Sequence, residues 1–252
     1  AELTEGLRKA ADDDAVRAVV LRVNSPGGTV TASKVVHDEL VRFRERTGKP
    51  VVIQMADLAA SGGYYVSCAG DHVVASPTTV TGSIGVLIQL VSVHEGLHRI
   101  GVRTDAVRSG ENKAMGSPLA PMSSEQRALF QGIVDEFFAE FVSVVRAARP
   151  EVSEADLARV KDGRIVTGRT ALELGLVDEL GDVYTAYEAA RARSGASSPR
   201  LVRYHRAENW VGSPYARSGS GGADVNLVQV NLDGWPGGAT PSFLYVWDPT
   251  AW

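Results

Sequence analysis

Apolar residues along this chain alternate between short continuous runs and helical stripes. Leu3, Leu7 and Ala10 share one helical face until the acidic run at 12–14 breaks it. Residues 16–23 then form a near-continuous apolar stretch with β-branched side chains, the pattern of a buried strand. It stops at Asn24-Ser25-Pro26-Gly27-Gly28, a turn signal, after which Val35, Val36, Leu40 and Phe43 repeat at helical spacing as far as Gly48-Lys49-Pro50. Residues 51–55 give the next strand, and a second turn leads into a helix that starts near Ser61. Gly62 and Gly63 in that helix are poor helix formers but permit close backbone approach. Two strand, glycine-rich turn, helix units therefore follow one another.

Beyond them the pattern predicts a short strand at 73–74, extended chain over 84–93, a helix over 94–100 closed by Gly101, and a short strand at 104–107. The loop 109–121 comes next. Ser123 with Gln126 forms a capping box, and Leu129, Ile133, Phe137, Phe141 and Val144 mark a long amphipathic helix ending before Pro150. Shorter helices are expected over 154–160, 170–174 and 183–193. Repeated strand and helix units define an α/β domain. Composition shifts after Ser194, where Ser197, Ser198, Pro199 and the stretch 212–222 read as linker. The expected division is a first domain over 1–195 and a Gly/Ser/Pro-rich extension over 196–252, in which 225–232 and 243–247 are edge-strand candidates.

Composition narrows the function. With 252 residues, 44% hydrophobic and 22% charged, the chain can bury one large core. Its formal charge of -4 lacks the basic face a nucleic-acid binder needs. Cys68 is the single cysteine, which excludes an intrachain disulfide and a thiolate zinc site. No apolar run approaches the roughly 20 residues of a membrane span, and the first residues lack signal-peptide order.

Ala59-Ala60-Ser61-Gly62-Gly63 puts a serine at a strand-to-helix turn among small neighbours, the setting a nucleophile elbow requires. The Gly62 N–H and the helix dipole there can face a developing oxyanion. A second donor is needed, and the Ser25-Pro26-Gly27-Gly28 turn after the neighbouring strand is the best placed. Either turn alone is equally well read as a tight connection, because a serine hydroxyl without a base is a weak nucleophile. His37, His72, His94, His98 and His205 stand in no evident loop with an orienting acid. Among the few lysines, Lys9, Lys34, Lys49 and Lys161 look like helix faces or surface turns, which leaves Lys113 in its loop. A lysine serves as base only where desolvation favours the neutral amine.

Three other signals compete. His94-Glu95-Gly96-Leu97-His98 spells the H-E-x-x-H zinc pattern, though Gly96 weakens the helix and no convincing third ligand follows. Cys68 reads as a small buried hydrophobe. Tyr64 and Tyr65 are either core or the lining of a groove.

Four segments carry a family resemblance: Leu-Arg-Val-Asn-Ser-Pro-Gly-Gly at 21–28, Ala-Ala-Ser-Gly-Gly-Tyr-Tyr at 59–65, Thr-Gly-Ser-Ile-Gly-Val at 81–86, and 109–118. In order and spacing they resemble signal peptide peptidase A, the protease IV family, and the likeness continues through Asp162-Gly163-Arg164 and Gly175-Leu176-Val177-Asp178 to about residue 190. The resemblance implies a crotonase/Clp-protease-like α/β fold of repeated β-β-α units and a Ser-Lys dyad. Ser61 would be the nucleophile, Lys113 the base, Gly28 and Gly62 the oxyanion donors, and Ser83 the residue that orients the lysine. It further implies no cofactor or metal, homo-oligomers, an extended peptide substrate such as a signal-peptide remnant, and a site outside the bacterial cytoplasmic membrane. Family members carry an initial β-hairpin and membrane anchor, which this chain is expected to lack at its start. Double-length members divide serine and lysine between repeats. Both stand here in one repeat, and a dyad completed between neighbouring subunits stays open. Other readings are a crotonase-like acyl-CoA enzyme, which would use the same two N–H donors without Ser61 or Lys113, a zinc peptidase, and a non-catalytic oligomer subunit.

Overall fold

A computed structural model describes residues 2–204 and a strand at Phe243–Val246. After helix α1 (Glu2–Asp12), strand β1 (Val19–Ser25), the short β2 (Gly27–Thr29) and helix α2 (Val30–Thr47), the chain enters β3 (Val51–Ala60). β3 is the centre of the molecule. Val51, Val52, Ile53 and Met55 are fully buried, as expected of a parallel strand covered on both faces. Helix α3 (Gly62–Ser67), β4 (His72–Ala75), β5 (Val80–Gly82), β6 (Leu87–Ile88) and α4 (His94–Arg99) come next. A 3-10 turn at Glu111–Ala114 leads to the long α5 (Ser124–Ala148), then α6 (Glu154–Val160), β7 (Ile165–Thr167), α7 (Gly168–Glu173), β8 (Glu179–Leu180), α8 (Val183–Ser194) and finally β9 (Phe243–Val246).

β1 runs parallel along one edge of β3, from Val19↔Val51 to Val23↔Met55 and then Ser25↔Ala59. Two residues of β1 thus span four of β3, so β3 bulges at residues 56–58. At the bulge its other edge changes partner: β4 pairs from Val52↔His72 to Met55↔Ala75, and β5 pairs from Leu58↔Val80 to Ala60↔Gly82. Side chains satisfy the bulged backbone. Thr79 donates its hydroxyl to the Ala56 carbonyl at 2.6 Å, and Asn24 Oδ1 accepts from the Leu58 N–H at 3.2 Å. β8 adds parallel to β4 and β7 antiparallel to β5. A second, three-stranded sheet has the order β2-β9-β6.

The two-residue period of a strand sorts the core. Val51, Ile53, Met55, Val73 and Ala75 face one layer with Leu40 and Phe43 of α2, Tyr64 and Tyr65 of α3 and Phe141 of α5, while Val52 and Val74 face α8 through Ala186 and Ala190. Tyr64 and Tyr65 are therefore core. The Tyr64 hydroxyl donates to the Leu176 carbonyl at 3.0 Å, and the Tyr65 ring meets Phe141 edge-on at 5.2 Å. Cys68 is buried at the end of α3, and burial pushes its thiol up to about 12, so it is no nucleophile.

The result is a mixed α/β fold with a parallel-dominated sheet, consistent with the crotonase/Clp-like class expected. The capping box on α5 is present in both directions, Ser123 Oγ accepting from Gln126 N at 3.1 Å and Gln126 Oε1 from Ser123 N at 3.3 Å. Three expectations are corrected. Residues 104–107 form no strand and are exposed, and among the described residues no strand pairs with them to take their hydrogen bonds. Of 84–93 only Leu87–Ile88 pairs. The strand expected at 51–55 continues through the bulge to Ala60. The candidate strand at 225–232 lies outside the described residues.

Arg149 and Asp178 lock α5 to the sheet, with Nη1 to Oδ1 at 2.7 Å while Asp178 Oδ2 accepts from the Val73 N–H at 2.7 Å. Burial alone would push Asp178 up. The hydrogen bond and charge of Arg149, with the Val73 N–H, outweigh it and hold the carboxyl below the usual carboxylate range. A folded value below the unfolded one contributes stability above the unfolded value, near pH 4, which is lost as pH falls through the folded value. Asp178→Asn is thus expected to lower the urea midpoint at pH 7 and to flatten the decline of stability below about pH 4. Thr79→Val keeps the shape but leaves the Ala56 carbonyl unpaired, and should cost about 2 kcal/mol in urea unfolding.

Candidate active site

Ser61 stands between the last residue of β3 and the first of α3, with φ 52 and ψ −115. A non-glycine residue in that region costs on the order of 1–3 kcal/mol and persists only when its surroundings impose it. Here they do. The Ser61 N–H donates to the Gly82 carbonyl at 2.8 Å, continuing the β3–β5 ladder one step past Ala60↔Gly82. Ser83, one step past Gly82 on the neighbouring strand, also has φ 52, and its N–H donates to the Arg164 carbonyl at 2.8 Å. Among the described residues these two serines are the only non-glycine positions with positive φ. Parallel register places them side by side at the end of the sheet. Both are buried, Ser61 at 1% exposure, so bulk water hardly reaches the hydroxyl that would react.

Gly62 begins α3, and its N–H has no carbonyl partner within the helix. The approach of α3 to the first turn is set by Gly63. A Cβ there would lie 2.8 Å from the Ser25 carbonyl oxygen, so only glycine lets the elbow pack against the end of β1. The Ser25 turn is tied by its own hydroxyl, which accepts from the Gly27 N–H at 3.1 Å, and Gly27 takes φ 121. Gly28 is the next residue of β2. A Cβ on Gly28 would meet nothing within 4 Å, so its glycine answers no packing demand of the chain itself.

Lys113 is placed differently. It lies on the 3-10 turn Glu111–Ala114 and is exposed, and no hydrogen bond or ion pair joins its amine to Ser61, Ser83 or any other described residue. Its segment is tied to itself and to α5: Val93 N–H to the Pro118 carbonyl at 2.9 Å, Thr104 Oγ1 to the Leu119 carbonyl at 2.7 Å, and Gln126 Nε2 to the Glu111 carbonyl at 3.5 Å. The structure thus brings Ser61, Gly62, Ser83 and the Ser25–Gly28 turn together and leaves Lys113 on a separate arm.

Sequence reasoning gave no signal for a cavity of about 530 Å³ between β6 and α5, lined by Val86, Leu87, Ile88, Met122, Phe130 and Val134 among others. In the H-E-x-x-H stretch the His94 and His98 rings lie 6.5 Å apart and His94 Nδ1 is within 3.1 Å of the Leu119 carbonyl. No group of three or more metal-ligating side chains exists among the described residues, so these two histidines have no third ligand there.

A serine held at positive φ between a parallel strand and a helix, beside glycine N–H groups, has the backbone geometry of a nucleophile elbow on an α/β sheet. Comparison with known proteins gives the family. Residues 44–197 match the model of peptidase family S49, and the chain belongs to that family, the signal peptide peptidase A family indicated by its motifs. Protease 4 of Salmonella typhi is 41% identical over 205 residues, 79% of this chain and 31% of that protein. Protease 4 of Haemophilus influenzae is 35% identical over 184 residues, 73% of this chain and 29% of that protein. The chloroplastic serine protease SPPA of Arabidopsis thaliana is 29% identical over 194 residues, covering 77% and 28%. The chain spans well under half the length of these relatives. Among solved structures, ThnE from S. clavuligerus matches with a TM-score of 0.45 at 19% identity, over 78% of this chain and 75% of that one.

Gly63→Ala is expected to slow labelling of Ser61 by a fluorophosphonate probe at least tenfold, because the added methyl must move either the elbow or the Ser25 turn. The helix signal in circular dichroism should be retained. Unchanged labelling would show that this contact does not set the nucleophile.

Proposed function

We propose that this chain is an endopeptidase in which Ser61 attacks and Lys113 is the base, with the Gly28 and Gly62 N–H groups as oxyanion donors and Ser83 orienting the lysine. The observation that carries the reading is the strained, buried Ser61 beside an equally strained Ser83. Strained backbone clusters at reactive sites, where it aims a side chain, and an acyl-CoA enzyme relying on the two N–H donors alone would not require a serine at 61. The lack of any side-chain demand at Gly28 supports its role, since a Cβ there would meet nothing of the chain and the glycine instead leaves room beside the backbone for a ligand.

In the first step Ser61 Oγ forms a bond to the scissile carbonyl carbon while the neutral amine of Lys113 takes the hydroxyl proton. The carbonyl oxygen becomes an oxyanion held by the two glycine N–H groups. As the intermediate collapses, the C–N bond breaks and the lysine ammonium returns the proton to the leaving amine. Water then attacks the ester with the same amine as base, releasing the acid and regenerating Ser61.

A neutral amine needs a dry setting, and Lys113 is exposed in the single chain. The arm that carries it also exposes Val91, Ile100 and Val107, the last two at 75% and 106%. Apolar exposure on that scale fits a contact with another copy. The working form we propose is therefore a homo-oligomer in which a neighbour covers Lys113 or shares it. The substrate class is an extended apolar peptide, with signal-peptide remnants at the outer face of the bacterial cytoplasmic membrane as the expected source. No helix among the described residues is long and apolar enough to cross a membrane. Residues 1–195 would form the peptidase domain and 196–252 its extension.

Ser61→Ala and Lys113→Ala are each expected to abolish peptide cleavage, and Lys113→Ala to abolish fluorophosphonate labelling of Ser61. Mixing the two inactive variants under conditions of subunit exchange should restore a fraction of wild-type activity if the dyad is completed between copies. No recovery on mixing would place both residues in one chain, and cleavage surviving in Ser61→Ala would sink the serine mechanism.

A further inference from the structure

The strand that carries Gly28 and the strand that comes after Ser83 do not pair with each other. Between β2 and β6 runs β9, residues Phe243–Val246, antiparallel to both. On one side its register is Gly27↔Val246, Gly28↔Tyr245 and Thr29↔Leu244. On the other it is Leu87↔Leu244 and Ile88↔Phe243. β2 and β6 are thus two parallel edges held one strand apart, a gap of about 10 Å at ordinary strand spacing. Each presents backbone N–H and C=O groups to the gap, so the gap accepts any extended chain by strand addition and reads little of its side chains. One wall of it is Gly28 itself, and the cavity lined by Val86, Leu87 and Ile88 opens behind the other.

We infer that residues 243–246 are a tethered occupant of the peptide slot, so that a substrate gains access to Gly28 and Ser61 only by displacing the chain's own strand. The inference rests on the peptidase reading for the identity of the displaced ligand. A peptide running antiparallel to β2 and passing Gly28 would need the hydrogen-bonding positions that Tyr245 and Leu244 now hold, and both chains cannot have them. The contact is also short. Three pairs on β2 and two on β6 make a ladder that a longer peptide, pairing beyond these positions, can outcompete. A tether raises the effective concentration of such a weak competitor to the millimolar range. The tail would then act as a threshold: peptides that add strand pairs or fill the cavity enter, and shorter ones do not.

The test uses the full chain with Ser61→Ala, so that binding is read without cleavage, and a fluorescein-labelled Ala- and Leu-rich decapeptide as probe. The double substitution Leu244→Pro with Tyr245→Pro removes two N–H donors from β9 and should release it. Fluorescence anisotropy is expected to show the probe binding at least fivefold more tightly to the proline variant, and amide exchange at Gly28 and Thr29 should accelerate in the absence of probe. Equal affinity in the two chains would overturn the inference. Fluorophosphonate labelling of both chains with Ser61 restored separates the two readings. If Ser61 labels in both and probe affinity is unchanged, the tail inference alone fails; if Ser61 labels in neither, the nucleophile assignment fails whatever the tail does.

Discussion

The bulge in β3 at residues 56–58 is the constraint on which the rest of the site depends. A strand paired straight along one partner would deliver its last residue in ordinary extended geometry. β3 instead pairs with β4 up to Met55 and with β5 from Leu58, and the offset is fixed because Thr79 and Asn24 satisfy the backbone groups it would otherwise strand. Bulges of this kind bend a strand and re-aim the residues beyond them. Ser61 is the residue so aimed. Its positive φ is held by a single further ladder bond to Gly82, and the same ladder sets Ser83 beside it. Burial of the apolar residues of β3 on both faces supplies a stabilisation far larger than two strained serines cost, at about 1.5–3 kcal/mol for each large side chain buried. The strain is therefore tolerated at this end of this strand.

Much of that arrangement was legible in the sequence, for reasons that differ by element. The helices α2 and α5 announce themselves through stripes and caps, and Ser123 with Gln126 caps as the motif demands. The elbow was legible because a serine flanked by two alanines and two glycines, at the end of an apolar run, suits a sharp turn with an accessible hydroxyl better than it suits a core. The bulge was not, since its determinants are a threonine and an asparagine far apart in sequence, Thr79 and Asn24, that reach β3 only in the fold. β2, β5 and β7 were not legible either. Three residues are too few to display a period, and each exists because a neighbour's edge is present. Residues 104–107 show the converse: Thr-Asp-Ala-Val has some local strand preference, but no described strand pairs with it, and preference without a partner leaves exposed chain. For the site, Ser61 emerged from local pattern, Lys113 by elimination and the Ser25–Gly28 turn as the best-placed second donor, whereas the choice of Gly28 within that turn and the role of Ser83 needed the family resemblance, because they depend on contacts no local pattern encodes.

The two halves of the site are built to different standards. The half that would bind charge, Gly28, Gly62 and Ser61, is locked by the Gly63 approach to Ser25, by two ladders and by the core beneath α3. The half that would move protons stands on an exposed arm held by a few hydrogen bonds of its own. This asymmetry has a chemical logic. Oxyanion donors contribute only if their geometry is fixed before reaction, whereas a lysine base gains its basic form from its surroundings. Covering Lys113 upon assembly would couple proton transfer to the presence of a neighbour, and an isolated chain would hold a shaped but idle nucleophile.

The slot between β2 and β6 extends the same logic to the substrate. Peptide bonds are alike in every sequence, so a site that grips backbone through two strand edges is indifferent to what it is given and must obtain selectivity elsewhere. On the proposed reading there are two sources: the cavity beside β6, lined by both apolar and polar side chains, which would favour particular side chains, and β9, which would impose a competition on every peptide that enters. Cavity and tail would then act in opposite directions on the same equilibrium. A peptide that gains nothing from the cavity must beat β9 on backbone pairs alone, against a competitor that never diffuses away. Discrimination would then come from the difference between two weak, similar interactions, which is how a backbone-reading slot can stay general in form and still refuse most chains.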